Sequence, residues 1–161
     1  MNFSVVIVSF KSFHLIEKHI DAAGNKQQII IIENSLDKSL KEKLEKTYSN
    51  VEVVIPEKNL GFGAAINLGT KKSINNFVFC MAADLNLSKD CFLNLSHIVG
   101  QYKDFAILAP TYLDESVYKN YVIHDHELNN KETKNVSNFK LKEVDEIDGA
   151  FMVINKEKFK I

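Results

Sequence analysis

The sequence predicts an α/β domain, an open and mostly parallel sheet with helices on both faces. Three observations predict it. Short apolar runs alternate with amphipathic stretches across residues 3–109, in the order βαβαβ-αβ-αβ. The second run, Gln28–Ile32, is nearly all isoleucine, which implies a strand buried on both faces. At 161 residues the chain suits one domain, able to bury roughly two thirds of its unfolded surface.

The first strand is expected over Phe3–Ser9, and Ser12–Ala22 carries Phe13, Ile16 and Ile20 at helical spacing. After the isoleucine strand, Ser35 or Asp37 can cap a helix over Leu36–Thr47, where Leu40 and Leu44 lie one turn apart. Val51–Ile55 reads as a strand, Gly63–Asn75 as a helix and Phe77–Met81 as a strand. Ser88 is the expected cap of a helix reaching about Val99, and Phe105–Ala109 forms a fifth strand. From Thr111 the chain turns polar, an excursion of short strands around an Asn- and Lys-rich middle (Asn129 to Asn138). Ile147–Ile154 is a last apolar strand.

Apolar residues make up 45% and charged residues 25%, with 20 basic and 21 acidic side chains and a net charge of −1. That balance argues against nucleic acid as a partner, which calls for a basic excess or stripe. The lysines from Lys38 to Lys46 alternate with Glu42 and Glu45, as on a solvated helix face. Cys80 and Cys91 lack paired motif spacing, which fits a reducing cytoplasm, with Cys80 buried in a strand. Phe3–Val8 is too short to span a membrane and has no basic flank of a signal peptide.

Open parallel sheets bind ligands beyond the carboxyl ends of their strands, near the point where strand order reverses. The residues to weigh are therefore Ser9–Lys11, Glu33–Ser35, Glu57–Gly63 and Ala82–Asn86. Glu33 can accept hydrogen bonds from a base N–H or ribose hydroxyls. The competing reading is a plain turn, with Asn34 in the left-handed region. Asn59 to Gly69 is rich in small residues, which let a backbone approach a ligand and leave free N–H groups at a helix start. They equally allow tight helix–sheet packing. Ile66 stands where a dinucleotide fingerprint needs Gly or Ala, and no Gly-Lys-Ser/Thr follows, so neither phosphate-loop motif is present. Asp84, after two alanines, is a hard oxygen ligand placed for Mg²⁺ or Mn²⁺. His124-Asp125-His126 is a weak zinc pattern and reads better as a polar loop.

Taken in order, Val5-Val6-Ile7-Val8-Ser9-Phe10, Ile30-Ile31-Ile32-Glu33-Asn34-Ser35, Asn59-Leu60-Gly61-Phe62-Gly63 through Asn67, and Met81-Ala82-Ala83-Asp84 resemble the family-two glycosyltransferases. Asp148-Gly149-Ala150-Phe151-Met152-Val153-Ile154 resembles the stretch leading to the acceptor region in their rhamnosyltransferase-like branch. The resemblance spans residues 3 to about 159. It implies the GT-A type of Rossmann-like sheet. Residues 1–110 would form the nucleotide-binding half of a single 1–161 domain, and 111–161 the incomplete start of an acceptor-side region.

Carried over by position, Ser9 and Phe10 flank the base, and Glu33 replaces the usual Asp at base or ribose. Asn59 and Gly61 border the nucleotide and Asn67 faces the sugar diphosphate, with Ala83 in the same set. Asp84 matches the last Asp of the DxD motif, the ligand for Mg²⁺ or Mn²⁺, while Ala82 replaces the first. The implied reaction is an inverting hexosyl transfer, rhamnose being the branch's sugar, from a nucleoside-diphosphate sugar to a saccharide or lipid-linked acceptor. Cell-surface polysaccharide synthesis in the cytoplasm is the implied setting, with contact at the inner membrane face left open. The family's base lies in a paired-acid motif after a Phe-Asp-Glu segment, and neither follows Ile154, so the chain reads as cut off before its base. Asp148 is the nearest carboxylate on the acceptor side. A non-catalytic nucleotide-binding or interaction module is the alternative, favoured by Ala82. A nucleotidyltransferase needs a basic glycine-rich loop after the first strand, which Ser9-Phe10-Lys11-Ser12 does not supply.

Overall fold

The computed structural model describes residues 1–88, 90–112, 119–124 and 133–159. Its centre is a six-stranded sheet in the order β3-β2-β1-β4-β10-β5. β1 (Ser4–Ser9), β2 (Gln28–Glu33), β3 (Val51–Val54) and β4 (Phe77–Ala82) run parallel. Their linking helices are α1 (Phe13–Ala23), α2 (Lys38–Thr47) and α3 (Gly61–Lys72). α4 (Cys91–Gln101) leads to β5 (Ile107–Leu108). Two short antiparallel pairs follow: β6 (Tyr121–Val122) with β9 (Glu146–Ile147), and β7 (Thr133–Val136) with β8 (Phe139–Lys142). β10 (Phe151–Asn155) then enters the main sheet between β4 and β5, antiparallel to both, ahead of the short α5 (Lys156–Phe159).

Alternation along the strands divides the core into two layers. Val5, Ile7, Ile29, Ile31, Phe79 and Met81 pack under α1, α2 and α4. Val6, Val8, Ile30, Ile32, Val78 and Cys80 face α3 on the opposite side. Helices therefore cover both faces, as the isoleucine run implied. Phe3, Phe79, Phe92 and Phe151 join α4 and β10 to β4, with ring centroids 4.3 to 6.4 Å apart. Both cysteines are free, and burial pushes the Cys80 thiol up to about 12.

Several boundaries move, each for a local reason. Asp37 is the cap of α2, accepting hydrogen bonds from the Ser39 N–H (2.9 Å) and hydroxyl (2.7 Å). Asn34 does not take the left-handed conformation; Leu36 does, at φ 65°. α3 stops at Lys72 because the Ser73 hydroxyl donates to the Thr70 carbonyl at 2.7 Å. Ser88 does not cap α4. It lies in the preceding turn, where its carbonyl accepts the Cys91 N–H at 3.1 Å. β5 keeps only two paired residues, and Phe105 packs its ring near Phe77 and Tyr102 instead.

The expected Ile147–Ile154 strand splits at Asp148–Ala150. The Asp148 carboxylate accepts the Ala150 N–H at 2.9 Å and its own N–H donates to the Asn120 carbonyl at 2.7 Å. A side chain that satisfies nearby backbone in this way competes with the strand ladder.

α3 lies close to the sheet because Gly69 faces β1: a Cβ there would collide with the Val6 side chain. Gly69→Ala is therefore expected to destabilise the fold by about 1–3 kcal/mol, the usual effect of overpacking a core. Urea unfolding of the two proteins measures this, and equal midpoints would refute the close contact.

Candidate active site

β1 has β2 on one side and β4 on the other, so strand order reverses there, the place beyond whose carboxyl ends such sheets bind their ligands. Ser9 closes β1, fully buried, and its hydroxyl has no hydrogen-bond partner among the described residues. Asn34 follows β2. Its N–H donates to the Ser9 carbonyl (2.8 Å), its amide nitrogen donates to the Gly61 carbonyl (3.2 Å), and its amide oxygen accepts the Leu60 N–H (3.2 Å). One side chain thereby ties the end of β2 to the start of α3. Gly61 itself sits at φ 72°, a left-handed conformation that glycine adopts without strain. Its N–H donates to the Asn59 side chain at 2.8 Å.

The other strand-end residues differ in exposure. Glu33 is 1% exposed, and its carboxylate accepts hydrogen bonds from the Ser35 N–H at 2.8 Å and the Ser35 hydroxyl. Phe10 is 51% exposed, with the Lys11 ammonium 5.5 Å from its ring centre. Gly63 opens onto free space. Asn67 is exposed and lies about 9 Å beyond Gly61 by helical rise, so the strand-end cluster is gathered without it.

β4 ends in a turn held from three sides. The Ala82 N–H donates to the Ala150 carbonyl of the β10 entry, and the Ala83 N–H to the Val8 carbonyl of β1, both at 3.0 Å. The Ala83 carbonyl accepts a hydrogen bond from His19 Nε2 of α1 at 2.9 Å. A carbonyl only accepts, so Nε2 carries the proton. Burial, the dominant influence, pushes the His19 imidazole below its ordinary value, against the opposing pull of the Ala83 bond. Ala83 is buried, and Asp84 emerges exposed.

Across the turn, Asp148 arrives from the β10 side, half-buried, accepting a hydrogen bond from the Tyr112 hydroxyl at 3.1 Å. A recess of about 60 Å³ lies here, lined by Leu85, Asn86, Tyr112, Asn120 and Asp148. Asn120 donates to the Pro110 carbonyl at 2.6 Å, while its buried amide oxygen has no partner among the described residues. A larger cleft of about 950 Å³ opens beside β5, and Asn120 lines both spaces.

Residues 4–161 match the family model described as glycosyl transferase family 2. The chain belongs to glycosyl transferase family 2. Solved structures share its fold. The mannosyltransferase PcManGT from Pyrobaculum calidifontis, in complex with GDP-Man and Mn2+, superposes with a TM-score of 0.67 at 13% identity, over 98% of this chain and 45% of that one. TarS 1-349 of S. aureus gives 0.55 at 18% identity, over 77% of this chain and 42% of that one. HddC from Yersinia pseudotuberculosis gives 0.61 at 15% identity, over 99% and 79%. The family-2 chain thus spans less than half the length of the first two. No curated protein sequence matches it.

Within this family-2 fold, Ser9, Glu33, Asn59, Gly61 and the Ala82–Asp84 turn come together at one sheet edge, with Phe10 on the rim. Among the described residues no three His, Cys, Asp or Glu side chains gather into a metal cage. An exposed carboxylate at a strand end suits a cation that takes its remaining oxygens from phosphates and water. Asp84 fits that, and His124 does not extend it. His124 pairs instead with Glu146 at 3.4 Å, and Asp125 and His126 lie outside the described residues.

Sequence reasoning passed over His19, Tyr112 and Asn120, and read Asn34 only as a turn residue. A signal existed for His19: it interrupts the apolar stripe Ile16, Ile20, Ala23 that buries α1.

Two substitutions at neighbouring positions are expected to act in opposite directions. Asn34→Ala leaves the Leu60 N–H and Gly61 carbonyl without their partner and should destabilise by about 1–3 kcal/mol. Leu36→Gly removes a bulky residue from the left-handed region and should stabilise by roughly 1 kcal/mol. Thermal unfolding midpoints that move the same way in both variants would contradict this.

Proposed function

We propose that this family-2 chain is the donor-binding portion of an inverting glycosyltransferase. Its donor is a nucleoside-diphosphate sugar, rhamnose being the sugar of the branch it resembles. The acceptor is a saccharide or lipid-linked saccharide of cell-surface polysaccharide synthesis. The observation that carries this reading is the gathering of Ser9, the Asn59–Gly61 loop and the turn before Asp84 at the carboxyl ends of β1 and β4, with the Asp148 turn joined to the same β4 end through Ala150. Support also comes from the relatives: PcManGT is solved with GDP-Man and Mn2+, and TarS with UDP.

In this reading Ser9 and the exposed Phe10 ring flank the base, and Glu33 addresses the base or the ribose. Asn59, Gly61 and the first N–H groups of α3 border the diphosphate, where the positive end of the helix favours anions. Asn67 lies further along α3, and Ala83 supplies the fixed backbone from which Asp84 projects. Asp84 is the protein ligand for Mg²⁺ or Mn²⁺; when bound, the cation offsets charge on the nucleoside diphosphate.

Transfer is a direct displacement: the acceptor oxygen bonds to the anomeric carbon as the bond to the diphosphate oxygen breaks, inverting that centre. The acceptor hydroxyl surrenders its proton to a carboxylate. Asp148, held by the Tyr112 hydroxyl and the Ala150 N–H, is the acceptor-side carboxylate, able to orient that hydroxyl. The larger cleft beside β5 has the volume for a saccharide acceptor.

Ala82 favours a second reading, a module that binds donor without transferring sugar. No helix among the described residues is long and apolar enough to cross a membrane. A cytoplasmic setting with peripheral contact at the inner membrane face is part of the proposal.

Calorimetric titration with dTDP, UDP and GDP, each with and without Mn2+, tests the donor site. One nucleotide should bind about tenfold more tightly with the metal, a gain near 1.4 kcal/mol. Asp84→Ala should erase that gain and leave metal-free affinity in place. Binding of none of the three nucleotides, or an undiminished gain in the variant, would sink the assignment.

A further inference from the structure

α1 buries one stripe, and at three of its positions the residue is the apolar one expected: Ile16, Ile20 and Ala23. The fourth is His19, only 2% exposed. An imidazole there is desolvated and contributes nothing that an aliphatic side chain would not, unless its N–H is used. It is used on the Ala83 carbonyl, 64 residues away in sequence, at 2.9 Å. Ala83 is thereby held at both ends, its N–H on the Val8 carbonyl of β1 and its carbonyl on α1. Beyond it the turn closes only weakly, the Leu85 N–H reaching the Ala82 carbonyl at 3.5 Å. Among the described residues, His19 is the one side chain that hydrogen-bonds the main chain of this turn.

We propose that His19 is a positioning residue for the family-2 reaction, fixing the peptide that leads into Asp84 and so the direction from which that carboxylate meets the metal–diphosphate. The inference rests on the donor-site reading above. It assigns to α1 a part in the site, although α1 has no residue at the strand-end cluster.

Two measurements on wild type, His19→Met and His19→Gln test it. The first is amide hydrogen exchange of the free protein, which needs neither nucleotide nor metal. In His19→Met, exchange at residues 82–86 should rise about fivefold to tenfold, as expected for one lost hydrogen bond, while the end of β2 is unchanged. The second is the calorimetric series with and without Mn2+. The metal-dependent gain should fall by a similar factor in His19→Met, with metal-free affinity retained. Glutamine, whose side-chain N–H can reach the same carbonyl, should restore both.

An unchanged exchange rate at residues 82–86 in His19→Met overturns the positioning role. So does an equal loss of metal-free and metal-assisted affinity, the pattern of general loosening. If His19→Met does not fold, His19→Asn replaces it, since its amide falls one methylene short of the carbonyl and should behave as a loss. Wild-type protein that binds no nucleotide defeats the donor-site reading, and this inference with it.

Discussion

The register of β1 against its two neighbours is the constraint on which the rest depends. Ser9 stands opposite Glu33, and Val8 opposite both Ile32 and Ala82, so the strands end nearly flush and their loops open on one edge. Both faces of β1 and β2 are apolar, so burial alone does not distinguish this register from a slip of one residue. The polar residues do. Ser4 pairs with Gln28 at one end and Ser9 with Glu33 at the other, bracketing four apolar pairs. The Ser4 hydroxyl donates to the Gln28 side chain at 2.7 Å, and Asn75 donates to Ser4 at 3.0 Å. A slip would set Gln28 against Val5 and leave these groups buried without partners, at about 1–3 kcal/mol each.

From that frame the two faces serve the site differently. α1, α2 and α4 share one face and supply most of the apolar burial. α3 packs across β1 and β2 on the other, drawn close by Gly69. That closeness aims the amino end of α3 at the sheet edge, where Asn34 fastens it. One side of the candidate site is thus built from strand ends and one helix terminus, all referenced to β1. Its other side is referenced to β10, which reaches the same edge running the other way and delivers Asp148 through a turn made by its own carboxylate.

The order of helices and strands up to β4 was legible because local signals agree there: the isoleucine run, the Asp37 cap, and the Leu40/Leu44 spacing. The strand-end rule picked out Ser9, Glu33 and Asp84 for the same reason. What stayed hidden depends on pairing over long separations. Nothing local says that Phe151–Asn155 enters between β4 and β5 antiparallel, and an apolar run that looks like one strand was divided by Asp148. His19 was masked by a helix that is otherwise regular. Asn120 and Tyr112 lie in a polar excursion with no periodicity, so only the folded chain brings them to Asp148.

Unmet hydrogen-bonding capacity lies on both sides of Asp84. Among the described residues, the Ser9 hydroxyl is buried without a partner at the end of β1, and the Asn120 amide oxygen beside Asp148. Such groups cost about 1–3 kcal/mol each in the free protein, and a ligand hydroxyl or phosphate that reaches them returns that energy. The pattern is informative only with position attached. The Asn155 amide oxygen is equally orphaned, yet it sits at the opposite end of β10, where the same side chain donates to the Lys103 carbonyl at 3.0 Å. At that end β4 begins rather than ends, since Asn155 stands opposite Phe77. An orphaned atom carries weight at the carboxyl ends of the parallel strands, because open sheets of this kind take their ligands there.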